Sequence, residues 1–147
     1  MQNIKEITAK ETFSVRHPVL RSGKPIKSCH FDGDDLDTTI HFGLFYEQEL
    51  CGVLSLFKNT NDLFAEKIQY QIRGMAVLEN CRKKGFGEAL VFHCEKYCIS
   101  QNADSIWFNA RKDAVGFYEK MAYQKKGMPF EIENIGEHVV MIKKLRS

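Results

Sequence analysis

The sequence lacks the long apolar run and the paired cysteines that mark membrane-spanning and disulfide-rich proteins. No stretch reaches the roughly 18 apolar residues that a membrane-spanning helix needs. The N-terminal MQNIKEITAKE is polar and has no apolar core of a secretory signal. The five cysteines are odd in number and show no CxxC spacing, so reduced thiols are expected instead of disulfides or a metal site. These absences predict a cytoplasmic protein that binds no metal and no membrane.

The sequence also lacks the charge excess, the repeats and the low-complexity tracts of many nucleic-acid-binding chains. Its formal net charge is +2, which is too small to predict a nucleic-acid partner. Hydrophobic residues make up 44% and aromatic residues 12% of the 147 residues, enough for one sizeable core. We therefore predict one domain over residues 1–147, with no nucleic acid among its partners.

Hydrophobic periodicity predicts an α/β (α+β) fold, in which helices cover a mixed sheet. The predicted strands are Ile4–Thr8, Thr39–Tyr46, Leu50–Phe57, Ile68–Val77, Ser105–Asn109, Tyr123–Gly127 and His138–Leu145. A first helix is predicted over Ala9–Val15, with Pro18 limiting its extension, and Ser22–Asp37 is predicted to be a loop. A second helix starts at Gly85, and a third covers Ala114–Ala122.

A basic, glycine-rich segment, Arg82-Lys-Lys-Gly-Phe-Gly87, joins the fourth predicted strand to the second helix. Amides at a helix N-terminus have no partner within the helix, and the helix dipole favours anions there. Gly85 and Gly87 carry no side chain, so a phosphate can approach the backbone closely. The segment is neither a Walker A motif nor GxGxxG, because Leu90 occupies the last position. It predicts a site for a compact phosphate ligand; a solvated basic turn is the alternative.

This segment resembles the (Gln/Arg)xxGx(Gly/Ala) loop that holds the pyrophosphate of coenzyme A in the GNAT superfamily of N-acetyltransferases. Independently, the segment Asn109–Tyr123 resembles the Asn…Ala…Tyr-Glu-Lys-Leu-Gly-Phe segment of the same family. Ala122 and Tyr123 stand where the family usually has Gly and Phe. The resemblance implies a GNAT-type mixed, mostly antiparallel central sheet with helices on both faces.

The resemblance also implies acetyl-CoA as co-substrate and assigns residues that contact it. These residues are Met75, Ala76 and Val77 on the fourth strand, Arg82, Lys83, Lys84, Gly85, Phe86 and Gly87 in the loop, and Asn109 and Tyr118 further on. Tyr118 is implied to protonate the departing thiolate. From the residues alone, Tyr118 could instead be a core aromatic, and Asn109 could cap the following helix.

No motif identifies the general base. An alkylammonium has a pKa of about 10.4, so the acceptor amine must lose a proton before it attacks. Some members of the family carry a Glu on the fourth strand, but Gln71 occupies the matching position here. Glu66, His41 and Glu79 are the remaining candidates, and a structural role is the alternative for His41.

The predicted reaction is direct acetyl transfer to the primary amine of a small-molecule acceptor, since no cysteine has an obvious basic partner for an acyl-cysteine route. Arg16, His17 and Arg21 could form a patch for an acceptor that carries a carboxylate or phosphate. The alternative function is a non-catalytic acyl-CoA-binding sensor or interaction module on the same fold. The sequence leaves a homodimer open.

Overall fold

The computed structural model describes residues 1–146 of the chain. Its strands are β1 (Gln2–Ile7), β2 (Ile40–Tyr46), β3 (Glu49–Phe57), β4 (Gln69–Val77), β5 (Ser105–Arg111), β6 (Gln124–Ile132) and β7 (Gly136–Lys144). Its α-helices are α1 (Phe13–Leu20), α2 (Phe86–Ser100) and α3 (Val115–Glu119). Every predicted strand is present, and the predicted order of elements is confirmed.

The seven strands follow the hydrogen-bonded order β1-β2-β3-β4-β5-β7-β6. The pairs β1–β2, β2–β3, β5–β7 and β6–β7 are antiparallel. Strand β4 pairs with β5 in parallel, with Gln69–Gln71 opposite Ser105–Trp107. This is the mixed, mostly antiparallel sheet that the sequence predicted.

The contacts divide the chain into two compact units. Unit 1 comprises Met1–Phe57 and Ile72–Tyr97. Its hairpin β2–β3 turns at Glu47 and Gln48, whose φ angles of 51° and 72° suit a two-residue hairpin with the native strand twist. An apolar cluster of this unit contains Ile7, Val15, Val53 and Ala76, with Val19, Leu20, Phe45, Leu50 and Leu78 packed against it.

Unit 2 comprises Lys58–Gln71 and the residues from Cys98 onward. A cluster of Trp107, Val140 and Ile142, with Phe64 packed against it, lies in its core. The indole N–H of Trp107 donates to the carbonyl oxygen of Asn59 at 3.0 Å, so the buried ring keeps its polar group satisfied.

The prediction that Pro18 would limit the first helix is wrong, because α1 runs through Pro18 to Leu20. A proline ring fixes φ near −65°, which is compatible with a helix, and removes one backbone donor. Val15 and Arg16 of the same helix are fully buried. Their packing outweighs the local cost of the proline.

Over residues 1–146, none of the helices combines the length and the apolarity required to span a bilayer. The same residues hold no group of three or more His, Cys, Asp or Glu side chains placed to bind a metal ion.

Gly74 interrupts the regular course of β4 with a φ of +65°. A Cβ added there would lie 3.0 Å from Cε2 of Phe31 and 3.3 Å from Nε of Arg16. Both neighbours are held in place, since Phe31 is buried and the Arg16 guanidinium is bonded to Asp34. Backbone conformation and space therefore both require glycine at this position.

Gly74→Ala should lower the free energy of unfolding by about 2–4 kcal/mol, combining left-handed strain with overpacking. Urea denaturation measures this change. Gly23→Ala is the matched control, because Gly23 has a φ of +77° but open space around an added Cβ. Its cost should be confined to about 1 kcal/mol of backbone strain. Equal losses in the two variants would contradict the steric argument.

Ala122, one of the two departures from the family motif, follows α3 with a φ of +74°. The amides of Ala122 and Tyr123 donate to Glu119 O at 3.0 Å and Tyr118 O at 3.1 Å. A helix that ends with a left-handed residue usually has Gly there. Having Ala122 instead of the family's usual Gly thus places a methyl group at a strained backbone position.

Ala122→Gly should raise the free energy of unfolding by about 0.5–1 kcal/mol, since relief of left-handed strain exceeds the added entropy of the unfolded chain. Differential scanning calorimetry can detect the change. Ala9→Gly is the control, because Ala9 has a φ of −56° and should lose stability on the same substitution. A loss of stability in Ala122→Gly would contradict the strain assignment.

Candidate functional site

The end of β4 and the segment after it form a tightly bonded turn in unit 1. The amide of Leu78 donates to Cys51 O at 2.9 Å, which fixes the turn to β3. Glu79–Cys81 form one turn of 3-10 helix. The Nε of Arg82 then donates back to Val77 O at 3.2 Å. The glycine-rich loop therefore starts from a defined position beside the end of β4.

The loop opens onto the N-terminus of α2. Gly85 O accepts the amide of Ala89 at 3.0 Å, so Gly85 is the residue that precedes the first turn. The amides of Phe86, Gly87 and Glu88 lie in that turn, where a helix offers them no carbonyl partner. Gly85 has a φ of +77°, and an added Cβ would meet no atom within 4 Å. A phosphate group therefore has open space beside this helix end.

Aromatic packing holds the start of α2 in place. Phe86 is buried, and its ring lies 5.3 Å from the ring of Tyr46 on β2. The Nζ of Lys84 lies 5.1 Å from the centroid of the same Tyr46 ring. Arg82, Lys83 and Lys84 are exposed, so their charges face solvent near the helix end. These residues together fit a diphosphate, which favours amide donors, a helix N-terminus and nearby cations.

The residues of β4 that the resemblance assigns to the cofactor lie immediately before this loop. Ala76 is buried, whereas Met75 and Val77 are half-buried. The absence of a side chain at Gly52 lets β3, β4 and α2 come close together, since an added Cβ would lie 3.0 Å from Leu90 Cδ1 and 3.4 Å from Ala76 O. The backbone of Met75–Val77 is thereby fixed by packing.

Tyr118 lies in an aromatic cluster of unit 2. Its ring centroid is 4.3 Å from that of Phe108 and 6.1 Å from that of Tyr123. Burial raises the pKa of the Tyr118 phenol well above its ordinary value of 10. The phenol is therefore protonated at every pH near neutrality, and it can donate a proton or a hydrogen bond.

Asn109 is exposed on β5 of unit 2, where it stands opposite Val140 of β7. The interpretation of Asn109 as a helix cap is wrong. Helix α3 begins at Val115, and Ala114 occupies the N-cap position. The 3-10 turn before it, Lys112–Ala114, has Arg111 at its N-cap position. The exposed Asn109 carboxamide is thus available to a ligand.

His41 lies in a buried polar cluster of unit 1. Its Nδ1 is 2.6 Å from Ser55 Oγ, and its Nε2 is 3.0 Å from Asp34 O. The residue is only 4% exposed. Because both ring nitrogens are engaged with protein groups, neither is presented to an acceptor amine. The arrangement matches the structural alternative that the sequence left open for this residue.

The carboxylate candidates have different surroundings. Glu66 in unit 2 is half-buried, and its Oε2 lies 3.7 Å from Lys144 Nζ. Glu79 in unit 1 is exposed, between the end of β4 and the loop. Gln71, at the position of the family's glutamate, is buried and accepts a hydrogen bond from Asn59 Nδ2 at 2.8 Å. An amide cannot accept the proton of an ammonium group at neutral pH.

The patch predicted from Arg16, His17 and Arg21 requires a correction. Arg16 is fully buried and forms a bidentate pair with Asp34 at 2.6 and 3.1 Å. It also donates to Cys29 O at 2.7 Å and Ser55 Oγ at 2.8 Å. His17 Nε2 lies 2.8 Å from Lys24 O. Arg21 is half-buried and, unlike Arg16, is not paired with Asp34. It is the one arginine of the predicted patch that remains partly exposed.

Sequence reasoning missed Arg73, a half-buried residue of β4. Its guanidinium lies 5.2 Å from the ring of Phe31 and 5.0 Å from the ring of Phe57, and it donates to Asp32 O at 3.2 Å. Arg73 is the one charged residue of β4 and stands directly before Gly74, and this was the signal that could have found it.

The chain is similar to known acetyltransferases in sequence and in fold. Residues 3–123 match the family model described as Acetyltransferase (GNAT) family. The protein named Uncharacterized N-acetyltransferase YitI, from Bacillus subtilis (strain 168), is 34% identical over 147 residues, which are 100% of this chain and 99% of that protein.

Solved structures share the fold. An aminoglycoside 6′-N-acetyltransferase complexed with coenzyme A has a TM-score of 0.78 at 15% identity, covering 99% of this chain and 98% of that one. The ribosomal-protein-S18-alanine N-acetyltransferase from Escherichia coli has a TM-score of 0.79 at 13% identity, covering 100% of this chain and 96% of that one. From the extent of the family match and the full-length relative, the chain belongs to the GNAT family of acetyltransferases.

Proposed function

We propose that this protein transfers an acetyl group from acetyl-CoA directly to the primary amine of a small-molecule acceptor. The observation that carries the proposal is the N-terminus of α2, where Gly85 leaves open space beside amides that have no partner within the helix. The family is one of acetyltransferases, a structural neighbour is solved with coenzyme A, and the residues around this helix end fit the diphosphate of acetyl-CoA. Acetyl transfer is the chemistry that such a ligand supplies.

In this proposal the amides of Phe86 and Gly87 donate to the diphosphate oxygens. Arg82, Lys83 and Lys84 add positive charge at the rim, where each exposed contact contributes little alone but the cluster favours a polyanion. The Phe86 ring, packed on Tyr46, holds the helix end in position. The binding site is thus largely formed before the ligand arrives.

The backbone of Met75 and Val77 is proposed to bind the pantetheine arm and to polarise the thioester carbonyl. An N–H that points at the developing negative charge can stabilise a transition state by roughly 3 kcal/mol. The packing of Gly52 against β4 and α2 fixes this part of the strand. A fixed donor needs no reorganisation during the reaction.

Proton transfer needs one group that accepts and one that donates. We assign the acceptor role to a carboxylate, either Glu79 or Glu66, acting through water; His41 is assigned a structural role because both its nitrogens are engaged. Tyr118 is proposed to donate to the leaving thiolate, and the exposed Asn109 to contact the cofactor. The raised pKa of Tyr118 keeps its phenol protonated.

A non-catalytic acyl-CoA sensor is the second candidate function. The observation that favours it is Gln71, which stands where some relatives carry a catalytic glutamate. Release of free thiol from acetyl-CoA, measured against a panel of amines, amino acids, polyamines and peptides, separates the two functions. Amine-dependent release supports catalysis. Tight acetyl-CoA binding without release for every acceptor supports the sensor.

Gly85→Asp should abolish the stabilisation that acetyl-CoA gives, because it places a carboxylate where the diphosphate would bind. At roughly 100 times its Kd, a ligand adds about 2.7 kcal/mol to the free energy of unfolding. Thermal melting with and without acetyl-CoA measures the effect. Gly23→Asp is the matched control, since Gly23 and Gly85 share a φ of +77° and open space around an added Cβ. An undiminished shift in Gly85→Asp would refute the loop assignment.

Tyr118→Phe should lower kcat by about 100-fold, the low end for a general acid, because a raised pKa makes the phenol a weak acid. The KM for acetyl-CoA should stay near the unmodified value. Tyr123→Phe, in the same aromatic cluster, is the control and should retain most of the activity. Steady-state kinetics with an accepted amine gives both constants. Full activity in Tyr118→Phe would remove its assigned role.

A further inference from the structure

Three arginine side chains of unit 1 surround one aromatic ring. The guanidinium carbons of Arg16, Arg21 and Arg73 lie 3.9, 5.0 and 5.2 Å from the centroid of Phe31. We call this group the Phe31 arginine cluster. The face of an aromatic ring attracts each cation separately. It does not remove the mutual repulsion of three positive charges, which neighbouring anions would reduce.

Asp34 neutralises one of the three. It accepts two short hydrogen bonds from Arg16. Burial alone would raise the pKa of Asp34, but the hydrogen bonds from Arg16 and the Phe31 amide outweigh it and hold the pKa below its usual value. Asp34 is therefore ionised at neutral pH, and among the three arginines its hydrogen bonds go to Arg16.

The other two guanidinium groups bond to neutral acceptors. Arg21 donates to Ser28 O at 3.3 Å and Leu20 O at 3.0 Å, and Arg73 donates to Asp32 O at 3.2 Å. Within residues 1–146, the salt bridge of this cluster joins Arg16 to Asp34. Both arginines are half-buried, so water screens them less than it screens surface charges.

The lowered pKa of Arg73 also indicates that its positive charge is not fully compensated. Burial lowers its pKa; Asp34 and Asp32 raise it, and Arg16 and Arg21 lower it further. The net shift is downward, which means that the positive charge of Arg73 is disfavoured in its present surroundings. An anion placed beside Arg73 would relieve that cost. The guanidinium fork matches a carboxylate, which it can bind through two parallel hydrogen bonds.

The position of Arg73 links the cluster to the proposed reaction. Arg73 precedes Met75 by two residues on β4, so their α-carbons lie at most roughly 7 Å apart. Met75 belongs to the backbone assigned to the thioester end of the cofactor. A small acceptor can therefore place an anionic group at Arg73 while its amine lies within a few ångströms of the thioester.

We propose that the acceptor is a small primary amine that carries a carboxylate, bound by Arg73 and Arg21 of the Phe31 arginine cluster. This inference rests on the proposed acetyl transfer and names its substrate class. Arg73 supplies the main contact, and Arg21 adds a second positive charge on the same aromatic ring. Arg16 holds Phe31 in place and takes no part in binding.

A binding experiment tests this without requiring turnover. Isothermal titration calorimetry is run on the protein saturated with coenzyme A, which has no acetyl group to transfer. The probes are glycine, alanine, lysine, phenylalanine and 4-aminobutanoate, each compared with its carboxamide. We expect at least one acid to bind about tenfold or more tightly than its amide, as a charge-assisted bond would give. O-phosphoethanolamine compared with ethanolamine tests whether phosphate is preferred.

Substitutions test whether the preference for an acid over its carboxamide depends on the Phe31 arginine cluster. Arg73→Gln should reduce the ratio of acid to amide affinity to about one, and Arg73→Lys should restore part of it, since Lys keeps the charge but not the fork. Arg21→Gln should reduce the ratio less. Lys24→Gln, an equal charge change at an exposed position of the same unit, should leave it unchanged. Acetyl-CoA-dependent melting shifts confirm that each variant is folded.

The inference fails if every acid binds no better than its amide, if O-phosphoethanolamine alone binds, or if Arg73→Gln leaves the preference intact. A wild-type protein that shows no such preference but acetylates neutral amines would contradict the carboxylate assignment and leave the proposed acetyl transfer standing. Failure to bind coenzyme A in the first place would instead count against the proposed function.

Discussion

The account depends on one constraint, that the first amides of α2 have no hydrogen-bond partner within the helix. A helix cannot bond its own first donors, and Gly85 keeps side chains out of the space in front of them. The nearby turn is fixed by the Leu78–Cys51 and Arg82–Val77 hydrogen bonds, and the helix end by the packing of Phe86 on Tyr46. The site therefore has a defined shape before a ligand binds.

Local patterns were sufficient to predict that a glycine-rich basic loop joins β4 to the start of α2. Two glycines, three cations and the change from strand to helix periodicity all fall within one short segment, and each has a direct physical meaning. The antiparallel hairpin and the order of strands followed from alternation and turn residues in the same way. Family membership then rests on the match over residues 3–123 and on a full-length relative.

Features that depend on tertiary contacts were not predictable. Arg16 and His41 were candidates for the acceptor site and the base, but they share a buried network with Asp34 and Ser55 that joins distant parts of the sequence. Pro18 was expected to limit the first helix, but α1 continues through it to Leu20 because Val15 and Arg16 pack in the interior. The role of Gly74 depends on Phe31, 43 residues earlier in the chain, and Arg73 acquires its aromatic neighbours in the same way.

The central claim is that the first-turn amides of α2 bind the diphosphate of coenzyme A. The most direct measurement is an NMR titration of the 15N-labelled protein with coenzyme A, following the backbone amides of Phe86 and Gly87. The account predicts large, saturable shifts of these two resonances in step with binding. Binding of coenzyme A with both resonances unmoved would contradict it.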